Sequence, residues 1–409
     1  MLWIGARLQA KVHYSRAGVK EACGNVSAKA GIGVQPGQIG TLSRVFAVTH
    51  GRGSRLGGKA NRSLVRMRQA VVPLLRCAAC QAGDLAHVAF DLGEDGTTKD
   101  GVLYCQACGH WYPVADGLLE LLTGRLSYHE DRQRFWDRFS DRLAKLGLRP
   151  DADRGDTTSA RLQATQQQHF DWYANNTTQT YGEYEQSSFW QAADKLAFEA
   201  WRQEIRPGSW VLDIGCAQGH STFKLMDLDI DIVGFDVSKN LIRQAIQRYR
   251  TGTHAGRATF FVADASTFPF VDEVFDYVLV YGVLHHLPDP SATCREVARV
   301  LKRGGAYFGS ENNQTVFRAP FDLLQKIKPI WHEEAGPEAL ISDQTLRQWF
   351  QPTTVSIETT TRVFLPPHLI NLLSGSAGYG LLRSTDRIGR AIPFIRDNGG
   401  LILVHGTKR

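Results

Sequence analysis

The sequence predicts an α/β fold: a seven-stranded, Rossmann-like sheet preceded by a small N-terminal zinc ribbon. Two observations carry this. Between Trp210 and Asp236 the chain packs a strand, a glycine turn, a helix and an acid-tipped second strand into 27 residues, the compact form of a nucleotide-cofactor unit. Upstream, Cys77, Cys80, Cys105 and Cys108 form two C-x-x-C pairs separated by 24 residues. A chain of 409 residues with 43% hydrophobic residues can bury two or three cores.

The first segment, residues 1–66, holds eleven Lys or Arg and one acid, Glu21, whereas the remainder carries 36 basic and 40 acidic residues. An RNA-binding extension and a mitochondrial-type presequence are two readings of that basic arm. The third, preferred here, is a start codon placed too early. Met67 stands ten residues before Cys77, and the stretch ahead of it is glycine-rich and lacks an amphipathic period.

Residues 67–125 are expected to form the ribbon. Four thiolates at this spacing suit one tetrahedral zinc ion with a closed shell, hence a structural metal at Cys77, Cys80, Cys105 and Cys108. Two disulfides are the alternative, but no secretory signal accompanies the cysteines, and a cytoplasmic protein is expected. After the last pair, Gly109-His-Trp-Tyr-Pro-Val-Ala-Asp-Gly117-Leu-Leu-Glu-Leu-Leu122 resembles the ending of a zinc-ribbon family. That family includes a small activator subunit of tRNA, rRNA and translation-factor methyltransferases and domains fused in front of bacterial methyltransferases. The resemblance covers Leu74 to Leu122. A group of rRNA guanine methyltransferases also carries an N-terminal ribbon, so it leaves two substrate classes open.

Residues 126–168 read as a helical linker. Phe135, Phe139, Leu143 and Leu146 have helical spacing, and Arg149 to Thr158 reads as a break. The domain assigned to residues 169–409 opens with aromatic segments around Tyr173 and Tyr181, candidates for closing a pocket, and a helix from Phe189 to Ile205.

Trp210 to Ile214 is then a strand, Gly215 and Gly219 bracket a turn, and Ser221 to Leu228 reads as a helix. Glycine lets backbone approach a ligand, and the following helix aims free N–H groups at it. The turn reads Asp213-Ile-Gly215-Cys-Ala217-Gln-Gly219, which is not the dinucleotide G-x-G-x-x-G. A second strand ends at Asp236 and a third, Thr259 to Val262, leads to Asp264-Ala265. A fourth, Phe275 to Val280, is followed by Tyr281-Gly-Val-Leu-His285-His286-Leu-Pro-Asp-Pro290. Val300-Leu-Lys-Arg-Gly304-Gly305 turns into a fifth, Ala306 to Ser310.

In this order the landmarks resemble the class I S-adenosylmethionine-dependent methyltransferases, over about 100 residues. Ala217 replaces their usual middle glycine and Arg303 stands in a proline place. The resemblance implies S-adenosyl-L-methionine as cofactor. It implies contacts from Asp213, Gly215, Cys216, Ala217, Gly219, Asp236, Val237, Asp264, Ala265 and Tyr281, with Asp236 on the ribose and Asp264-Ala265 on the adenine edge. Cys216 reads as a small buried residue rather than a reactive thiol.

Ser342 to Phe350 reads as a capped helix, Thr353 to Thr361 as a sixth strand and Leu401 to Gly406 as the seventh. Between them, about 362–400, a helical insertion is expected over the pocket. It packs on the sheet, accepts a lipophilic substrate or touches a membrane surface as a peripheral contact. No membrane span is apparent.

Methyl transfer from a sulfonium asks the protein to align a nucleophile, exclude water and remove a proton. His285 and His286 are the candidate bases, with a structural role in the loop as the other reading. The place where nucleobase amino methyltransferases carry N-P-P-Y or D-P-P-Y reads Tyr281-Gly-Val-Leu, while the V-L-H-H-L-P-D-P form is common among quinone, sterol and secondary-metabolite enzymes. The expected activity is therefore O-, N- or C-methylation of a small hydrophobic molecule. The alternative is RNA base methylation with RNA held by the ribbon, and a third class is a non-catalytic scaffold or activator. The oligomeric state is not legible.

Overall fold

The computed structural model describes residues 69–93, 96–150, 158–175, 186–327, 340–373 and 375–409. The basic arm, the Met67 start and Tyr181 lie outside them. The ribbon is an antiparallel sheet of β1 (Leu85–Leu92), β2 (Thr98–Cys105), β3 (Trp111–Ala115) and β4 (Leu118–Leu119), in that spatial order. Helices α1 (His129–Lys145), α2 (Thr158–Asn175) and α3 (Ser188–Glu204) follow it. Phe135, Phe139 and Leu143 of α1 pack with Trp111 of β3, as their helical spacing predicts.

The large sheet then begins with β5 (Trp210–Ile214), α4 (His220–Phe223), β6 (Asp231–Asp236), α5 (Lys239–Thr251), β7 (Arg257–Val262), β8 (Phe275–Tyr281), α6 (Pro290–Val300) and β9 (Leu301–Asn312). It is completed by α7 (Arg318–Ile327), α8 (Asp343–Phe350), β10 (Val355–Arg362), α9 (Pro367–Ile370), α10 (Gly375–Ala391) and β11 (Leu401–Lys408). The seven strands lie in the order β10-β11-β9-β8-β5-β6-β7. Strands β5 to β9 run parallel, and β11 runs antiparallel to both neighbours. Strand order reverses beside β5, so a crevice opens at the carboxyl ends of β5, β6 and β8.

Two local elements differ from the sequence reading. The helix after the glycine turn is a single turn, because Lys224, Leu225 and Leu228 bond to carbonyls three residues back and tighten the chain. The glycine turn at Val300 to Gly305 is a bulge inside a longer β9: Phe275 pairs with Leu301 but Tyr277 with Ala306, and Gly304 takes φ +76°. That strand runs past Ser310 to Glu311 and Asn312.

The ribbon closes the sheet's edge. Glu120 bridges Val262 in parallel, Leu75 bridges Phe270 antiparallel, and the Leu121 N–H donates to the Val262 carbonyl at 2.7 Å. Without these partners β7 would present unpaired backbone groups. Leu75, Tyr112 and Leu119 share one core with Phe235, Phe261 and Phe270, all buried. Burying each such side chain contributes about 1.5–3 kcal/mol, so ribbon and sheet fold as one apolar unit. A buried ion pair, Lys239 Nζ to Glu120 Oε2 at 3.1 Å, crosses the same seam. Among the described residues no helix is long and apolar enough to cross a membrane.

Candidate active site

The crevice is a cavity of about 260 Å³. Its floor is the glycine turn, where Gly215, Ala217 and Gly219 all take positive φ, +63°, +48° and +85°. A Cβ on Gly215 would meet Val283 at 2.6 Å and one on Gly219 the Phe223 ring at 2.4 Å, so both positions need glycine. Ala217 adopts a left-handed conformation with a side chain present. Gly215, Cys216 and Ala217 line the cavity; Gly219 does not, and serves the turn behind it.

Asp236, at the end of β6, lines the cavity. Its Oδ2 accepts from Ala217 N–H at 3.0 Å and its Oδ1 from Ser238 N–H at 2.8 Å. Burial, with the nearby Asp171 adding to it, pushes this carboxyl up to about 6. A buried acid in this state gains from any further donor, and two vicinal hydroxyls are suitable ones. Asp264 is part-buried, and desolvation raises its pKa; its Oδ1 accepts from Ser266 N–H at 2.9 Å and Gln163 Nε2 at 2.6 Å. Val237, Ala265 and Tyr281 join it on the wall.

Asp213 is placed elsewhere. It is absent from the lining, and its carboxylate accepts from the Ser221 hydroxyl at 2.8 Å and from the Thr222 hydroxyl. Burial raises this group to about 6, and its work is to tie α4 to the end of β5. Cys216 is fully buried and its thiol is pushed well up by burial, as befits a packing residue. Tyr173 is buried outside the lining.

At the far wall His285 Nδ1 lies 2.7 Å from Glu311 Oε2. Glu311 is 1% exposed, and its Oε1 accepts from Val283 N–H at 3.0 Å and Leu284 N–H at 2.8 Å, which fixes the loop carrying the histidines. A carboxylate on Nδ1 keeps the proton there and leaves Nε2 as the basic nitrogen. His286 differs: burial, then His285 and His169, hold it down at about 3. Its ring meets Phe170 edge-on at 5.3 Å.

Two wall features, and one aspartate behind the wall, were not found in the sequence. Glu311 follows the predicted end of the fifth strand, and the rule that picked Asp236 and Asp264, an acid at a strand's carboxyl end, picks it too once β9 is extended. Asp194 of α3 is 2% exposed; it takes His220 Nε2 at 3.2 Å, Lys224 Nζ at 2.8 Å and the Tyr281 hydroxyl at 2.8 Å. No local pattern marks one aspartate of an amphipathic helix as buried. Gln163 and Gln166 of α2 complete the wall at helical spacing, beside Phe170, which falls in the aromatic segment expected to close the pocket.

The four thiols converge within 4.8 Å of one another. Cys77 Sγ to Cys108 Sγ is 3.7 Å and Cys80 Sγ to Cys105 Sγ is 3.6 Å. These are not disulfide lengths. They match the edge of a tetrahedron with zinc–sulfur bonds of 2.3 Å, about 3.8 Å. Desolvation among the crowded thiols raises Cys108, which is itself exposed, and Cys105, which is buried; a central cation reverses that state.

Fold and site together define a class I S-adenosylmethionine-dependent methyltransferase domain with a zinc-ribbon-like domain on its N-terminal side. Comparison with known proteins agrees: residues 212–309 match the methyltransferase domain family and residues 69–117 the Trm112p-like protein family. The chain is 30% identical over 146 residues to 27-O-demethylrifamycin SV methyltransferase of Amycolatopsis mediterranei, 33% of this chain and 54% of that protein. It is also 30% identical over 156 residues to 2-methyl-6-phytyl-1,4-hydroquinone methyltransferase of Synechocystis, 38% of this chain and 44% of that one. The chain thus spans about half the length of such relatives. A solved complex of the Haloferax volcanii Trm112 methyltransferase activator with a methyltransferase aligns at 21% identity and TM-score 0.42, over 58% of this chain and 97% of that one.

Proposed function

We propose that this chain transfers a methyl group from S-adenosyl-L-methionine to a nucleophilic oxygen, nitrogen or carbon of a small, largely apolar molecule. The observation that carries this reading is the His285–Glu311 pair on the wall of the cavity that begins at Asp236. In this reading Asp236 holds the ribose and Asp264 with Ala265 the adenine edge. His220, held by Asp194, takes the amino-acid end, because its ring lies beside that of Tyr281 of β8 at 5.9 Å, whereas Asp264 follows β7 on the other side of β5. When bound, the cofactor supplies an electrophilic methyl on a sulfonium. His285 Nε2 accepts the proton that the acceptor loses, and Glu311 stabilises the imidazolium that forms. His286, which stays neutral far below physiological pH, packs the loop instead.

Apolar walls support the acceptor class: Trp190, Phe170, Leu287 and Leu401 face the same cavity as His285, with Asn312 as a polar contact. Relatives whose names describe rifamycin and phytyl-hydroquinone acceptors point the same way. The four ribbon cysteines hold one structural zinc ion, whose closed thiolate shell leaves no position for substrate.

The test is transfer of radiolabelled methyl into a fractionated cell extract, with His285→Gln as control. Label in the organic fraction, lost in the variant, is the expected result. Label in RNA would replace this acceptor class by the RNA one.

A further inference from the structure

Twelve of the fifteen large apolar side chains exposed among the described residues fall between Val316 and Phe394, on α7, α9, α10 and the residues flanking them. Scattered apolar exposure is ordinary; this concentration on one part of the fold is not. Helix α10 is divided lengthwise. Gly378, Leu382, Asp386 and Gly389 are buried, against α3 and Phe364, where a Cβ on Gly389 would meet the ring at 2.4 Å. Leu381 and Ile388 point outward, 37% and 60% exposed, and the stripe continues through Ile392 at 36% to Phe394 at 92%.

The charge on this segment is mostly basic, with Asp397 just beyond it paired to Arg396 at 3.7 Å. From Gly375 to Arg396 there are four arginines, Arg383, Arg387, Arg390 and Arg396, all exposed, and one acid, Asp386. Asp386 is buried beneath the helix, paired with Arg362 and Arg390. An outward apolar stripe bordered by long basic side chains, ending in a protruding phenylalanine, complements an anionic lipid surface: the stripe enters the acyl boundary while guanidinium groups stay at the headgroups.

We propose that α10 and the Ile392 to Phe394 turn dock this protein on anionic phospholipid bilayers. The surface also stands next to the cavity. Asn313 Nδ2 donates to the carbonyls of Asp397 at 3.2 Å and Gly399 at 2.7 Å, and Leu401 lines the cavity wall. Docking therefore sets the active-site wall a few residues from the membrane, where an apolar acceptor partitions. Binding itself does not rest on the methyl-transfer reading.

Flotation of the full chain with vesicles tests this, using phosphatidylcholine alone and phosphatidylcholine mixed with phosphatidylglycerol, at low and high salt. The protein is expected to float with the anionic vesicles, and high salt is expected to weaken the association. Phe394→Glu or Ile388→Glu abolishes it; Arg383→Gln and Arg387→Gln each weaken it about fivefold. These side chains are exposed, so the variants keep the fold. Failure to float with anionic vesicles overturns the proposal. So does a concentration-dependent dimer in sedimentation that Ile388→Glu dissolves, which would make a second copy the occupant.

Discussion

Glu311 Oε2 and His285 Nδ1 are 2.7 Å apart, and the same carboxylate anchors the loop of the histidine through the N–H groups of Val283 and Leu284. One side chain sets both the tautomer and the position of the proposed base. Glu311→Gln is therefore expected to lower kcat by about 10²–10⁴ when the acceptor must lose a proton, with little change in cofactor affinity. His285→Gln should give a loss of the same order, and the double variant no more than either alone. Equal activity in Glu311→Gln would assign the pair a structural role.

Cofactor affinity should depend on pH through Asp236. Burial pushes its carboxyl up to about 6, and in the proposed reading the ribose hydroxyls donate to the ionised form. Affinity should therefore fall by roughly tenfold from pH 7 to pH 5 as the proton competes. Stability runs the other way. A folded-state pKa raised above the unfolded value, as for Asp236 and Asp213, contributes stability that is full below pH 4 and lost as pH rises through about 6. Titration calorimetry and melting across this window read the two trends separately.

Ala217 holds φ +48° in the turn whose N–H supports Asp236. Replacing it with glycine removes the left-handed penalty while leaving that N–H in place. Ala217→Gly is expected to stabilise the protein by about 0.5–1 kcal/mol, less what glycine adds to unfolded-chain entropy. Ala217→Val should destabilise and weaken cofactor binding. Denaturant melts check both, and a destabilised glycine variant would contradict the backbone assignment.

If the Asp194 network serves the amino-acid end of the cofactor as proposed, two cofactor fragments should tell it apart. Asp194→Asn loosens His220, Lys224 and Tyr281 together, so S-adenosylmethionine should bind about tenfold more weakly. 5′-Methylthioadenosine, which lacks the amino-acid end, should bind as before. Equal losses for both ligands would show that the network merely supports the fold.

For the ribbon, metal analysis should find about one zinc ion per chain, and Cys105→Ser should remove it. Since Leu75, Tyr112 and Leu119 share a core with Phe235 and Phe261, chelation should lower the melting transition of the whole unit rather than release a separate step. A metal-free protein with an unchanged melt would defeat the metal assignment.

Much of this architecture is legible because the strands obey local rules. Trp210 to Ile214, Asp231 to Asp236 and Phe275 to Tyr281 are short apolar runs between turn signals, and buried parallel strands leave that imprint. The cysteine spacing is equally local. Long-range packing leaves no such trace. Asp213 looks like a ligand contact by position, yet the Ser221 and Thr222 hydroxyls claim it; Asp194 looks like a solvated helix residue, yet three donors surround it. Pairing of the ribbon with the β7 edge depends on Glu120 and Leu75 meeting strands far along the chain, which no window of sequence displays.

The most direct test of the account is calorimetric titration of S-adenosylmethionine into the wild-type chain and into Asp236→Ala at neutral pH. Saturable binding at one site is predicted, weakened at least tenfold in the variant, since hydrogen bonds to a charged group contribute about 1.5–3 kcal/mol. Equal affinity in the two proteins, or no binding to the wild type, would contradict the assignment of this cavity.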